Sequence, residues 1–256
     1  MNNPSESPKT SIATHTAEDV IIRGKSLCRD LIGHLTFTEM IFFQSLGRRP
    51  SDAEAAVVDA CMVTLMEHGL TPSAITTRLT YSSAPEAMQG AVAAGLLGVG
   101  GLFAGTMEGC AALLERLIGA QNLDEEARRL VEEHRAERKA VPGFGHPHLK
   151  PDDPRALRLL DLVAAQGLAG RHVQALKALS GAVDVVHGKH ITINATGAIA
   201  AALGECGVPA EIMRGFALIT RCAGLVGHLH EEQNRPAMRA IWEAAEAAVP
   251  YEETAP

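Results

Sequence analysis

Apolar residues recur at helical spacing along most of this chain, and alternation of period two is confined to Val185-Val186 and the His190-to-Ile193 stretch. A chain with so little alternation offers almost no half-buried strand, so the pattern predicts an almost all-α fold built as a layered bundle. The punctuation agrees. Thr36 or Thr38 caps a helix ending near Gly47, and Ser51-Asp-Ala-Glu54 is a capping box that opens a helix running up to Gly69. Pro72 and Pro85 stand at early helical positions, the second opening an Ala/Gly-rich helix to about Leu97. Further helices are expected over 106–118, 123–138, 153–166, 169–179, 193–204, 211–223 and 227–248. Residues 1–16 read as a flexible tail, 17–30 as a mixed-charge segment and 250–256 as a C-terminal tail.

With 256 residues and 46% hydrophobic content, the chain can bury a sizeable core in one large domain or two small ones. A net charge of −7 without a basic cluster argues against nucleic acid and against an anionic membrane surface as partners. The most apolar run, 90–105, is broken by glycines at 95, 98, 100 and 101, which suits close helix packing better than a lipid span. Five scattered cysteines without a CxxC pair, and no apolar leader, point to a reducing cytoplasm.

The segment most committed to chemistry is Ala140-Val-Pro-Gly-Phe-Gly-His-Pro-His-Leu-Lys-Pro-Asp-Asp-Pro-Arg155. Pro142 and Pro147 fix φ, Gly143 and Gly145 permit close backbone approach, and His146 is thereby mounted in a shaped, non-helical loop. Imidazole is the acid/base group of neutral pH, and Arg155 nearby can grip a carboxylate bidentately, so the loop suits proton transfer on an anionic substrate. Pro142, Gly143, Phe144 and Gly145 are candidates for close contact with a ligand. No metal site is expected: His228 and His230 lie two apart on a helix and face different ways, and His187 with His190 lacks a further ligand. Gly98-Val-Gly100-Gly-Leu-Phe103 misses the third glycine of a dinucleotide loop.

Four stretches, Glu67-His68-Gly-Leu-Thr-Pro-Ser-Ala74, Gly143-Phe-Gly-His146 with Asp153-Pro-Arg155, Asn194-Ala-Thr-Gly197 and Thr220-Arg221-Cys-Ala-Gly-Leu-Val-Gly-His228, resemble in order and spacing the citrate synthase superfamily. The likeness spans roughly residues 30–242 and is nearest to citryl-CoA lyases and the lyase module of ATP-citrate lyase. It implies a two-domain α-helical fold, with 17–108 and 203–249 as the large domain and 109–202 as the small, CoA-facing one, in a homodimer or higher homo-oligomer. It further implies cleavage of citryl-CoA or a related 3-hydroxyacyl-CoA to acetyl-CoA and oxaloacetate or another 2-oxoacid, with CoA ester and di- or tricarboxylate as small-molecule partners and no tightly bound cofactor. By the same resemblance His68 binds substrate, His146 serves the keto or hydroxyl oxygen, Arg155 and Arg221 clamp carboxylates, and Arg235 is a further clamp reaching across from a partner subunit.

Two departures qualify that expectation. The family's enolate-stabilising histidine falls at Phe103, and the carboxylate that moves the proton on carbon falls at Thr196. An unactivated hydroxyl is far too weak a base for a carbon-bound proton. Another group can substitute (Asp184, His187 and His190 are near in sequence), or the acyl group differs, or the chain binds a CoA ester without turning it over. A citrate- or methylcitrate-synthase-type condensing reaction is the further alternative. In the cleavage direction, His146 alone can retain the removal of the hydroxyl proton.

Overall fold

The computed structural model describes residues 7–101 and 105–253, and among these the architecture is helical. Capping chemistry sets several boundaries. α1 (Phe37–Leu46) and α2 (Asp52–Met66) each open on a reciprocal capping box, Thr36 with Glu39 and Ser51 with Glu54, and α1 closes on Gly47 at φ 74°. α3 (Pro72–Ser83) begins with proline at its first turn, where no amide donor is needed. α4 (Met88–Leu97) starts three residues after Pro85, which lies in the preceding turn instead of opening the helix as expected. α5 (Gly105–Ile118), α6 (Leu123–Ala136) and α7 (Pro154–Ala165) follow, α7 capped by the Asp153 carboxylate accepting from the Arg155 amide. α8 (Arg171–His187) runs eight residues beyond the expected end at 179, because Ser180 and Gly181 are carried by continued burial of Val183. The alternation read at Val185-Val186 is therefore helical, and of the 190–193 stretch only Ile193 makes a strand-like bridge, to Phe144.

α9 (Ala195–Glu205) is the centre of the bundle. Its small side chains let α2, α5, α7, α8 and α10 all approach it, and Ala198 through Leu203 are completely buried. Two glycines make the approach possible: a Cβ on Gly204 would lie 2.4 Å from the His172 ring, and one on Gly197 would lie 2.4 Å from the Gly143 carbonyl oxygen. Leu114 and Leu117 of α5, Leu176 and Leu179 of α8, and Phe216 of the following helix complete that core.

Two expectations are corrected here. A break between 223 and 227 does not occur: α10 runs unbroken from Ala210 to Asn234, and Pro236 separates it from α11 (Met238–Ala248). Gly224, inside α10, is there for packing, since a Cβ would lie 2.2 Å from the Met66 carbonyl oxygen. The expected tail over 1–16 and the segment after it contain an antiparallel sheet, β1 (Ala13–His15), β2 (Val20–Ile22) and β3 (Lys25–Ser26), in the order β1-β2-β3. Its second turn, Arg23-Gly24, has φ of 50° and 76°, the positive values that a two-residue hairpin needs. The Arg23 guanidinium then donates to the Gln44 carbonyl at 2.9 and 3.2 Å, docking the hairpin on α1. A π-helical turn, Leu27–Leu31, leads on to the bundle.

Candidate active site

The turn after α2, the start of α3, the loop before α7, the first turn of α9 and the middle of α10 surround a cleft of about 400 Å³. His68, His146, Arg155, Thr196 and Arg221, distant in sequence, all line it. Thr64, Thr71, Ser73, Thr106 and Asn194 add hydroxyl and amide groups, and no carboxylate lines it among the described residues.

One wall is tied internally. Asn194, the N-cap of α9, accepts from the Gly197 amide at 3.1 Å and donates through Nδ2 to the Gly145 carbonyl at 3.0 Å. The Asn194 amide donates to the Gly143 carbonyl at 3.0 Å, and the Gly145 amide to the Thr192 carbonyl at 2.8 Å. These bonds stitch the His146 loop to the start of α9. Gly143, at φ 89°, is buried, and a Cβ there would meet Cys110 Sγ at 2.6 Å. Its conformational freedom thus serves an internal contact, and Phe144 packs in the core. None of Pro142, Gly143, Phe144 and Gly145 lines the cleft, although His146 and Pro147 beside them do.

Asp153 anchors Arg155. It is fully buried and accepts from the Arg155 amide at 3.0 Å, from Arg155 Nε at 2.9 Å and Nη2 at 2.7 Å, and from the Ala195 amide at 3.1 Å. Burial pushes its carboxyl up, but the Arg155 guanidinium and the two amides outweigh that and hold it below the usual carboxylate range. The guanidinium is so aimed with Nη1 left over for a ligand. The sequence offers Asp153 as a helix opener and as part of the Asp153-Pro-Arg155 stretch, and its spacing of two from Arg155 is the signal for the anchoring role.

His146 is held in one tautomer. Its Nδ1 lies 3.2 Å from the His148 amide and 3.0 Å from the Leu149 amide, both donors, so in the neutral ring the proton sits on Nε2. Burial, followed by the Arg155 charge, lowers its pKa below the ordinary histidine value, and the ring is neutral at pH 7. A neutral ring has one proton, so Nε2 donates a hydrogen bond and cannot also accept a proton. The geometry therefore suits His146 to donating a hydrogen bond to an oxygen more than to removing a hydroxyl proton. His68 stands beside it, edge to face, with ring centroids 6.2 Å apart.

The opposite wall carries uncompensated donors. Arg221 Nη1 is buried without a hydrogen-bond partner among the described residues, and burial draws the guanidinium pKa down against the opposing charge of Glu67. Glu67 Oε1 accepts from the His68 and Gly69 amides at 2.7 and 2.6 Å, fixing the turn that presents His68. Its Oε2 lies 3.0 Å from His228 Nε2, without the alignment of a hydrogen bond. His228 Nδ1 accepts from Arg78 Nε at 3.0 Å, and buried Arg78 pairs with Glu232 at 2.8 Å and with Glu231. Arg221 lines the cleft and carries a guanidinium whose Nη1 is buried without a hydrogen-bond partner among the described residues, a placement that suits an anion.

Thr196 lies in the first turn of α9. Its hydroxyl donates to Asn194 Oδ1 at 2.7 Å, so the hydrogen bond at 3.1 Å that links it to Thr106 Oγ1 has Thr106 as donor. The groups proposed from sequence to replace a missing acid are elsewhere: His190 bridges Asp184 at 2.8 Å and Asp152 at 3.1 Å on the exposed side of the loop, and His187 is exposed. Neither these nor Arg235, exposed at the C-terminal end of α10, lines the cleft, and Phe103 lies outside the described residues.

The fold is a helical bundle whose cleft gathers two arginines, two histidines and a set of hydroxyl groups. The chain belongs to the citrate synthase family: residues 13–242 match the family described as citrate synthase, C-terminal domain. Citrate synthase from Synechocystis is 26% identical over 204 residues, covering 77% of this chain and 50% of that protein. Putative citrate synthase 2 from Mycobacterium tuberculosis is 28% identical over 189 residues, covering 72% and 49%. The chain thus spans about half the length of the curated relatives it matches. Among solved structures, citryl-CoA lyase from Hydrogenobacter thermophilus superposes with a TM-score of 0.87 at 30% identity, covering 97% of this chain and 95% of that one. ATP citrate lyase from Methanothrix soehngenii, in complex with citrate and coenzyme A, has a TM-score of 0.76 at 18% identity, covering 100% and 43%.

Proposed function

We propose that the protein is a carbon–carbon lyase acting on citryl-CoA or a related 3-hydroxyacyl-CoA, releasing acetyl-CoA and oxaloacetate or another 2-oxoacid. The observation that carries this reading is the convergence of Arg155, Arg221, His68 and His146 on one cleft, with Arg221 Nη1 buried and unpaired. Two guanidinium groups suit a substrate with two or more carboxylates, each held by a fork of donors. His146 Nε2–H stabilises the oxygen that becomes the 2-oxoacid carbonyl, which holds negative charge as the bond breaks. His68, the cleft's other imidazole, takes the hydroxyl proton. The citryl-CoA lyase likeness over nearly the whole of both chains supports cleavage ahead of condensation.

In this reading the thioester passes Pro142 and Gly145, the half-buried members of the loop, while 109–202 moves as a small domain to exclude water. Arg235 joins the cleft of a second copy in a homodimer, and the setting is the cytoplasm. The test is incubation with citryl-CoA and a panel of 3-hydroxyacyl-CoA esters, following 2-oxoacid by mass spectrometry. We expect release from citryl-CoA, and a loss of about 100-fold to 10,000-fold in His146→Ala. Release from another ester alone moves the substrate; tight binding of every ester without release makes the protein a non-catalytic binder and sinks the lyase reading.

A further inference from the structure

We infer that this cleft makes a thioester carbanion only by breaking a carbon–carbon bond, never by drawing a proton off carbon, and that water supplies the proton the carbanion finally takes. The inference rests on the lyase reading above and narrows its chemistry. It starts from the groups on the cleft surface. The lining residues include no Asp or Glu among the described residues, and residues 102–104, Leu-Phe-Ala, carry no carboxyl by sequence.

Three carboxylates close in sequence to lining residues, Glu67, Glu108 and Asp153, do not line the cleft themselves, and each has partners. Asp153 is fully buried with four donors on its two oxygens. Glu67 accepts from two amides and faces His228; burial raises its carboxyl, yet His228 and the amides leave it below the usual range, a poorer base still. Glu108 is paired with Arg214. The group at the start of α9 is Thr196, whose proton is given to Asn194 and whose oxygen accepts from Thr106, so no base stands by to activate it. His146 Nε2 carries its proton and donates.

Cleavage does not need a carbon base. The hydroxyl proton goes to His68, the C–O bond becomes C=O, and the electron pair of the broken carbon–carbon bond becomes the thioester enolate. Water then gives the enolate carbon a proton, and the resulting hydroxide takes the proton from His68, so the sum is 3-hydroxyacyl-CoA to 2-oxoacid and acetyl-CoA. The reverse reaction would begin by removing a methyl proton from acetyl-CoA, for which the lining offers no carboxylate among the described residues, while in this reading His68 serves the oxygen of the 2-oxoacid. A CoA ester that already contains the carbon–carbon bond is therefore the substrate class, and free acetyl-CoA is not activated.

The test is proton NMR of acetyl-CoA in D₂O, with malate filling the dicarboxylate site, beside a citryl-CoA cleavage assay on the same preparation. The expected result is methyl exchange within about twofold of the buffer blank for the native protein, and at least tenfold above it for Thr196→Asp with its fold checked by circular dichroism. Native exchange as fast as cleavage overturns the inference, and its loss in His68→Ala would name His68 as the carbon base. A folded Thr196→Asp that still fails to exchange also overturns it, because position 196 would then not be where the missing base belongs. Should Thr196→Asp misfold, the native comparison of exchange with cleavage decides alone. If the native protein cleaves no ester, the lyase reading falls, while the exchange measurement still tells whether the cleft takes a proton from carbon.

Discussion

The two walls of the cleft are built on opposite principles. On the side of the His146 loop and α9, Asp153 is satisfied by Arg155 and the Ala195 amide, and the Gly143 and Gly145 carbonyls by Asn194. On the side of α10, Arg221, which lines the cleft, has its Nη1 buried without a hydrogen-bond partner among the described residues. Satisfied polar groups stabilise and position; an unsatisfied buried donor costs stability until a ligand completes it. The first wall is therefore the mount and the second the receptor, and substitutions in the two should move stability in opposite directions.

The largest effect is expected at Asp153. Asp153→Ala strips four donors of their acceptor and leaves the Arg155 charge uncompensated, a loss of about 3–5 kcal/mol in urea denaturation. Its pH signature follows from the lowered carboxyl: the stabilisation is full above the unfolded value of about 3.9 and disappears as pH falls through the folded one. The native protein should accordingly lose more stability than Asp153→Ala between pH 5 and about 2. Equal slopes for the two would show that the wall is not held by this carboxylate.

A smaller loss is expected at Gly143. An alanine there needs φ near 89° and brings its Cβ within 2.6 Å of Cys110 Sγ and 2.9 Å of Gly197 Cα, costing roughly 2–3 kcal/mol. Gly181→Ala, on the exposed side of α8 with nothing within 4 Å, is the control and should stabilise by up to about 1 kcal/mol. Matching effects at the two glycines would mean that the loop is not wedged against α5 and α9.

What the sequence conveyed about this architecture follows how local each cause is. Caps act within three residues, so Thr36, Ser51 and Pro72 mark their helices correctly. The hairpin was not legible, because strands of two or three residues leave no period to detect and Arg23-Gly24 lacks the usual Asn-Gly signature. The break expected between 223 and 227 is absent, and Gly224 within that gap is a packing glycine, which looks like a terminating one until the Met66 carbonyl beside it is known. The same ambiguity covers Gly143, whose freedom fits a ligand or a neighbouring helix equally well on paper. His68, His146, Arg155, Thr196 and Arg221 were legible as one set only through the resemblance, since no spacing rule joins α2, α7, α9 and α10. The partners that aim them, Asp153 and Glu67, were adjacent in sequence to residues already singled out, yet their roles depend on tertiary hydrogen bonds.

The smallest change in stability, and the one of opposite sign, belongs to Arg221. Arg221→Met keeps the length and apolar bulk of the side chain and removes a buried charge whose Nη1 finds no acceptor. Replacing an inadequately paired buried charge by an apolar group is neutral or stabilising, so the ligand-free variant should melt slightly higher, by about 1 kcal/mol in unfolding free energy. Glu67 moderates the gain, because it loses the nearby positive charge but keeps its two amide donors. Oxaloacetate or citrate should raise the melting temperature of the native protein and leave that of Arg221→Met unmoved, since a carboxylate there completes Nη1 only when the guanidinium is present. A variant destabilised without ligand would place Arg221 with Asp153 among the mounting groups and erase the distinction between the two walls. One stabilised without ligand and blind to it would mark Arg221 as the group whose unpaired donor is kept for binding.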